Sequence, residues 1–303
     1  MSHKIINKYK NHEIKESMMA ILYFLPFGIL FILFIIVPIV MAVGLSFTNY
    51  NVINNPVFVG FRNYVYMFTE DDVFIKAFTN TFAFAVFSGA IGYFASFSVA
   101  WIIDNLKFKM FFALAFYAPS ITGSIAMSVI WLNFFSPDAN GFLNNWLLQL
   151  GVINQPILWT QSPDMILPIV VVVSVWMGMG NGFLGFLAGF QNMNKEIFEA
   201  ADIDGIKNNF QRLIYVIFPQ MKPMLLFGAV TTVVGAFAAY DVPLTLAGSP
   251  GPNNAGLTIV GDINDYAFTR LDFGYASTIA VILFILIFAL GRILFKILGS
   301  EDE

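Results

Sequence analysis

Six long apolar stretches alternate with polar segments along the chain: Met18–Leu45, Phe78–Ile103, Phe108–Phe134, Met165–Phe190, Met224–Tyr240 and Tyr275–Leu298. Runs of about 20 apolar residues are what a helix needs to cross a bilayer core, and only a helix or a closed barrel satisfies its backbone there. The pattern therefore predicts an all-α integral membrane protein with six transmembrane helices. The first stretch is too long for the apolar core of a signal peptide and lacks a small-residue cleavage site, so it counts as a span. Four parts follow: a tail over 1–17, the first span and its loop over 18–77, a five-span core over 78–298, and a tail over 299–303. No segment repeats at a solenoid period.

The polar interruptions differ in kind. Ser46–Ala77, Ser136–Asp164 and Pro243–Gly274 are long and carry only Arg62, Lys76 and Arg270, with Trp146 and Trp159 suited to a membrane interface. The other twelve of the fifteen Lys and Arg fall in the N-terminal tail, at Lys107 and Lys109, in Asn192–Pro223, and at Arg292 and Lys296. Positive charge marks the cytoplasmic side, which places both termini and Asn192–Pro223 inside. That loop reads as two short helices. Asn194 caps the first, Asp204-Gly205 ends it, and Pro219 is expected to bend the chain after the second.

Composition then narrows the chemistry. The 303 residues are 58% hydrophobic and 11% charged, with a net charge of -4, which disfavours nucleic acid as a partner. There is no cysteine, and the two histidines, His3 and His12, stand in the N-terminal tail. No phosphate-binding G-x-x-x-x-G-K-[ST] run occurs, and no acid–base set assembles. The chain is expected to be no enzyme and to bind no cofactor or metal. Asp202-Ile203-Asp204 has the spacing of a metal-binding pair but lies within the cytoplasmic loop.

The hearts of the spans hold no Asp, Glu, Lys, Arg or His. Charged groups there mark ion-coupled carriers and phosphate paths, so their absence fits a neutral polar solute energised from elsewhere. Ser120, Thr122, Ser124, Ser128, Ser174, Thr231 and Thr232 are candidates to line such a path. Trp176, Asn181, Tyr240 and Asp241 supply the aromatic faces, amide and carboxylate that sugars favour. Ordinary helix packing accounts for most of these taken singly. Asp241, at a span end beside Pro243, asks for more. The glycines at 178, 180, 182, 185 and 189 are expected to let helices approach closely.

Glu199-Ala200-Ala201, then Asp204-Gly205 and a Phe-Pro pair ending at Pro219, resembles the EAA loop of bacterial ATP-binding-cassette (ABC) importer permeases. The spacing from Gly205 to Pro219 is one residue longer than the common form, and Ile206 replaces the usual alanine. Gly60-Phe61-Arg62-Asn63-Tyr64 is similar to the family's G-x-x-N-Y element, and Gly248-Ser249-Pro250-Gly251-Pro252 stands where it often has Gly-Gly-Pro. The likeness is to the carbohydrate type, of the maltose-and-oligosaccharide class, and covers nearly the whole chain.

The resemblance implies a type I importer permease in a bacterial plasma membrane, surrounded by lipid. It also implies a second related permease, an ATPase dimer holding ATP and Mg, an extracytoplasmic solute-binding protein and a carbohydrate substrate. Coupling to the ATPase would fall to Ile197, Phe198, Glu199, Ala200, Ala201, Asp204 and Gly205. Ile197, Phe198 and Ala201 would dock by apolar contact, and Glu199 would meet a basic group. A permease for another polar solute, such as a glycerophosphate compound, is the alternative, then an ion-coupled secondary carrier, with a membrane enzyme third.

Overall fold

The computed structural model describes Met19 and residues 21–206 and 208–298, without the side chains of residues 181 and 195. The tails expected over 1–17 and 299–303, and Lys207, lie outside the described residues. Among the described residues five helices are long and apolar enough to cross a membrane, which makes six crossings if the bent pair counts as one span. They are α1 (Ile21–Leu45), α3 (Asp72–Asp104), the pair α4 (Lys109–Ile121) and α5 (Ser124–Phe134), α7 (Pro163–Gln191), Asn209–Ala247 and α13 (Phe273–Leu298). Between them lie α2 (Arg62–Thr69), α6 (Phe142–Gln149), α8 (Lys195–Ile203) and α12 (Ile259–Asn264). The fifth crossing comprises α9 (Asn209–Arg212), a π-turn at Leu213–Ile217, α10 (Phe218–Phe237) and α11 (Asp241–Ala247).

Two prolines act differently on their helices. The third span is not continuous: α4 and α5 meet at 94°. Pro119 withholds one amide from the ladder of α4, and Thr122 and Gly123 then take extended conformations. Pro219, by contrast, does not interrupt its helix. The ladder widens ahead of it, so that the Phe218 amide bonds Leu213 O, five residues back, and the helix runs on. The same device precedes Pro38, where Val37 N–H bonds Ile32 O. A π-turn makes room for a ring that would otherwise strike the carbonyl four residues back.

The ends of the bundle are unlike. One carries short connections and α8; the other carries long loops with their own order. In the first long loop, β1 (Thr48–Asn49) pairs antiparallel with β2 (Val57–Phe58), Thr48 opposite Phe58. The Asn63 amide donates to Ser46 O and Thr48 O, and the Tyr64 hydroxyl donates to Ser46 Oγ. Thr278 of α13 donates to the same Ser46 O, and Gly274 lets the strand lie against the head of α13, where any Cβ would collide with Thr48 O. This is the local work of the Asn63-Tyr64 pair. In the second loop the buried Asn144 amide donates to Ser136 O, Asp138 O and Ile157 O and accepts from Ile157 N–H and Trp159 Nε1. Trp159 thus packs onto Phe135, while Trp146 is exposed.

Packing falls into two clusters. One, toward the long-loop end, gathers Phe84, Ile166, Val170, Val173, Tyr275 and Ile279. The other, toward α8, gathers Phe97, Phe183, Phe186, Leu187, Phe190 and Met221. Tyr93 and Phe97 both meet Phe186 edge to face, at 5.3 and 5.5 Å between centroids. Gly180 and Gly189 stand where a Cβ would strike a neighbouring helix, at Ser120 and Met221, and Gly182 lies close on Ser96. Gly178 and Gly185 have nothing within 4 Å of a built Cβ. Close approach therefore explains three of the five glycines in α7 and leaves two open.

Candidate functional site

Between the two clusters lies a cavity of about 900 Å³. It sits at the middle of the spans. α3 contributes Ser88, Gly89, Gly92 and Ser96, near its midpoint, and α7 contributes Ser174, Gly178, Gly182 and Gly185, near its own. The open glycines of α7 thus face this space. α10 adds Phe227, Gly228, Thr231 and Thr232.

Both interrupted spans present their breaks to the cavity. Ser120 to Ser124 line it from the α4–α5 corner, and Ala238 to Pro243 line it from the gap between α10 and α11. A hydrogen bond from Ser124 Oγ to Asp241 Oδ2 joins the two breaks. Asp241 opens α11, and its own carbonyl accepts from Thr245 Oγ1 at 2.8 Å. Among the described lining residues Asp241 is the one carboxylate, and none is Lys, Arg or His.

Many of the cavity's hydroxyls already donate to backbone. Ser96 donates to Met179 O, Ser120 to Met177 O, Thr122 to Ala118 O and Thr231 to Phe227 O. Their oxygens keep lone pairs free, so the wall as built mostly accepts hydrogen bonds. A solute rich in O–H donors matches such a wall. Ser174 Oγ is buried without a partner.

Of the candidates read from sequence, the cavity gathers Ser120, Thr122, Ser124, Ser174, Thr231, Thr232, Tyr240 and Asp241. Ser128 does not line it and is buried, donating to Ser124 O at 2.7 Å. Trp176 also stands off the cavity; it packs edge to face on Trp131 at 5.3 Å, so its place as a sugar platform is corrected. The side chain of Asn181 lies outside the described residues. Sequence reading missed Ser88 and Ser96. Their signal was present: Ser88, Gly92 and Ser96 recur every four residues, a small polar stripe down one face of α3.

The second candidate site is α8 at the opposite end. Asn194 Oδ1 accepts from the Glu196 amide at 3.0 Å. The helix closes on a left-handed glycine, Gly205 at φ +88°. Ile206 N–H reaches back to Ala201 O and Gly205 N–H to Asp202 O, the paired bonds of a glycine-terminated helix. Asp202, once a possible metal ligand, is ion-paired with Arg212 of α9, which clasps the two short helices together. Among the described residues no group of three or more acidic or histidine side chains is placed to hold a metal.

The faces of α8 divide clearly. Phe198 packs against the second cluster and Ala201 is 6% exposed. Apolar docking by Ala201 is therefore corrected: its Cβ faces the protein's own bundle. Glu196, Glu199, Ala200, Asp204 and Gly205 are exposed, as are Ile197 and Ile203, the last at 88%. Ile203 was not picked out from sequence. The signal was its 3.6-residue phase with Glu199 and Ala200, which a fixed motif hides.

Residues 13–300 match the sequence family described as binding-protein-dependent transport system inner membrane component. The chain is 31% identical over 285 residues to the probable ABC transporter permease protein YesP of Bacillus subtilis (strain 168), covering 93% of this chain and 91% of that one. It is 28% identical over 278 residues to the arabinooligosaccharides transport system permease protein AraP of the same organism, covering 91% and 87%. Among solved structures, a chain of a bacterial ABC transporter involved in the import of the acidic polysaccharide alginate is similar with a TM-score of 0.81. It has 19% identity over 96% of this chain and 99% of that one, a likeness of fold.

Proposed function

The chain belongs to the family of binding-protein-dependent transport system inner membrane components, and on that premise we propose that it forms one side of a path for a neutral sugar or oligosaccharide. As a permease subunit of an ABC importer it is a multi-pass inner-membrane protein and leaves ATP hydrolysis to a separate subunit. The observation that carries the cargo is the cavity. It lies at mid-span, is walled by hydroxyls and glycines, and has one carboxylate but no cation among its described lining residues. Relatives that share most of this chain's length carry arabinooligosaccharides and lactose in their names. A glycerophosphate solute would want a cation in that wall and is the weaker reading.

The partners follow the same premise: a second, related permease, an ATPase dimer holding ATP and Mg, and an external solute-binding protein that delivers the sugar to the long-loop end. Both termini are placed in the cytoplasm with α8, in keeping with the lysine and arginine distribution. Closure of the ATPase dimer moves α8, and the spans then exchange an inward for an outward opening. Glu199, Ile197, Ala200 and Ile203 form the outer face of α8. Phe198 and Ala201 seat it on the bundle, and Asp204 and Gly205 set its turn toward α9. In the cavity, Tyr240 and Asp241 receive sugar hydroxyls at the break of the fifth span.

The test is uptake of labelled sugars by proteoliposomes holding the complete transporter. Neutral oligosaccharides should accumulate with ATP, and glycerophosphates should not. Glu199→Lys is expected to leave the complex assembled while ATP turnover separates from uptake. Normal coupled uptake with this variant would refute the assignment of α8.

A further inference from the structure

The segment between α11 and α13 forms a strap across the long-loop end, tied down at three points. The Asn80 amide of α3 donates to Asn254 O at 2.7 Å and Leu257 O at 3.0 Å. Thr81 Oγ1 accepts from the Ile259 amide at 2.8 Å. Thr258 caps α12 by accepting from Gly261 N–H, and its hydroxyl donates to Ala239 O at 2.9 Å. Ala239 belongs to the break in the fifth span and lines the cavity. The strap therefore holds one edge of the cavity wall.

One turn beyond Thr258 stands Asp262. It is 1% exposed, and neither carboxylate oxygen has a hydrogen-bond partner. The groups that face it are otherwise engaged. Asp71, at the head of α3, caps the helix through Oδ1, accepting from the amides of Val73 and Phe74. Its Oδ2 accepts from the hydroxyls of Tyr266, in the strap, and Tyr275, at the head of α13. Arg270 is paired with Asp265 at 2.7 Å and lies over the Tyr266 ring, 4.2 Å from its centroid. One guanidinium thus faces both Asp262 and Asp265, and it is already bound to Asp265.

A buried anion without hydrogen bonds is costly enough that such a group takes up a proton instead. Of the neighbouring pair, Asp71 accepts four hydrogen bonds and Asp262 none, so the proton belongs on Asp262. Burial first, then the charge of Asp71, pushes Asp262 up to about 7, against the pull of Arg270. We propose that Asp262 is a proton-binding site of the strap: protonated, it lets α12 seat and Thr258 hold the break of the fifth span; ionised, it unseats α12 and frees Ala239. The transporter thereby senses pH at its long-loop end, whatever sugar it carries.

The sign follows from the raised value. Between 3.8 and about 7 the seated form keeps its proton while an unseated, hydrated Asp262 loses it. Seating therefore weakens as pH rises through that window and is constant above it. Hydrogen exchange of residues 257–268 in the assembled transporter in lipid nanodiscs measures the opening directly, once intrinsic exchange is divided out. The opening constant is expected to rise about tenfold per pH unit between pH 5 and 6.5 and to level off above 7. Asp262→Asn should show no such slope, and Asp262→Leu carries the same expectation if the Asn variant does not assemble. A flat profile in the native protein, or an equal slope in the variant, overturns the proposal.

Discussion

Two glycines of α7, five residues apart, separate packing from passage. A Cβ at Gly180 would collide with Ser120 Oγ and lie 3.0 Å from Phe116 O. The hydroxyl could swing aside only by giving up its 2.7 Å bond to Met177 O, and the backbone carbonyl cannot move without α4. Overpacking of this kind costs about 1–3 kcal/mol, and the lost hydrogen bond about 1 kcal/mol more. The gain in helix propensity from Gly to Ala returns roughly 0.5–1 kcal/mol. Gly180→Ala is therefore expected to destabilise by roughly 1–3 kcal/mol, from those same terms.

At Gly185 the same substitution meets nothing within 4 Å and projects into the cavity. Gly185→Ala should leave stability unchanged or raise it by up to about 1 kcal/mol, while Gly185→Leu should choke uptake. Thermal unfolding of the purified complex and sugar uptake in proteoliposomes are read side by side. Gly180→Ala should lower the unfolding midpoint, and Gly185→Leu should lower uptake with the midpoint held. A Gly185→Leu transporter with full uptake would refute the cavity as a path. A Gly180→Ala protein as stable as the native one would refute the close α4–α7 contact.

Other outcomes follow from single contacts. Asp241→Ala removes the bond between the two broken spans and the cavity's carboxylate, so half-saturation for sugar should rise severalfold in uptake assays while yield of the complex holds. Asn144→Leu strips the second long loop of five hydrogen bonds at a buried position. With each orphaned group costing about 1–3 kcal/mol, protease cleavage within 136–160 should speed up sharply. Arg212→Gln unclasps α8 from α9. Surface pairs contribute only about 0–1 kcal/mol, so the unfolding midpoint should barely move, but more ATP should be spent per sugar imported.

The six crossings, the Asn194 cap and the left-handed Gly205 were legible in the sequence because each is decided locally. A span is a sum of transfer free energies along one run of residues, and a cap or a helix stop is set within one turn. The same local accounting passed over the corner at Thr122-Gly123, since hydropathy is blind to a bend in an apolar run. It also did not foresee the π-turn that absorbs the ring of Pro219.

What a residue faces was decided only by tertiary packing. Trp176 reads as a sugar platform until Trp131 takes its edge, and Ala201 reads as a docking residue until α8 lies against the bundle. Ser88 and Ser96 become cavity residues only because α7 brings glycines opposite them. Asp241 meets Ser124 across 117 residues of chain, and Asp262 finds Asp71 occupied by two tyrosines. Which segments enter the membrane could be read along the chain, because burial in lipid is a property of each segment alone. Which polar groups those segments leave facing a cavity, a partner or one another is a property of pairs distant in the chain, and only the folded structure sets it.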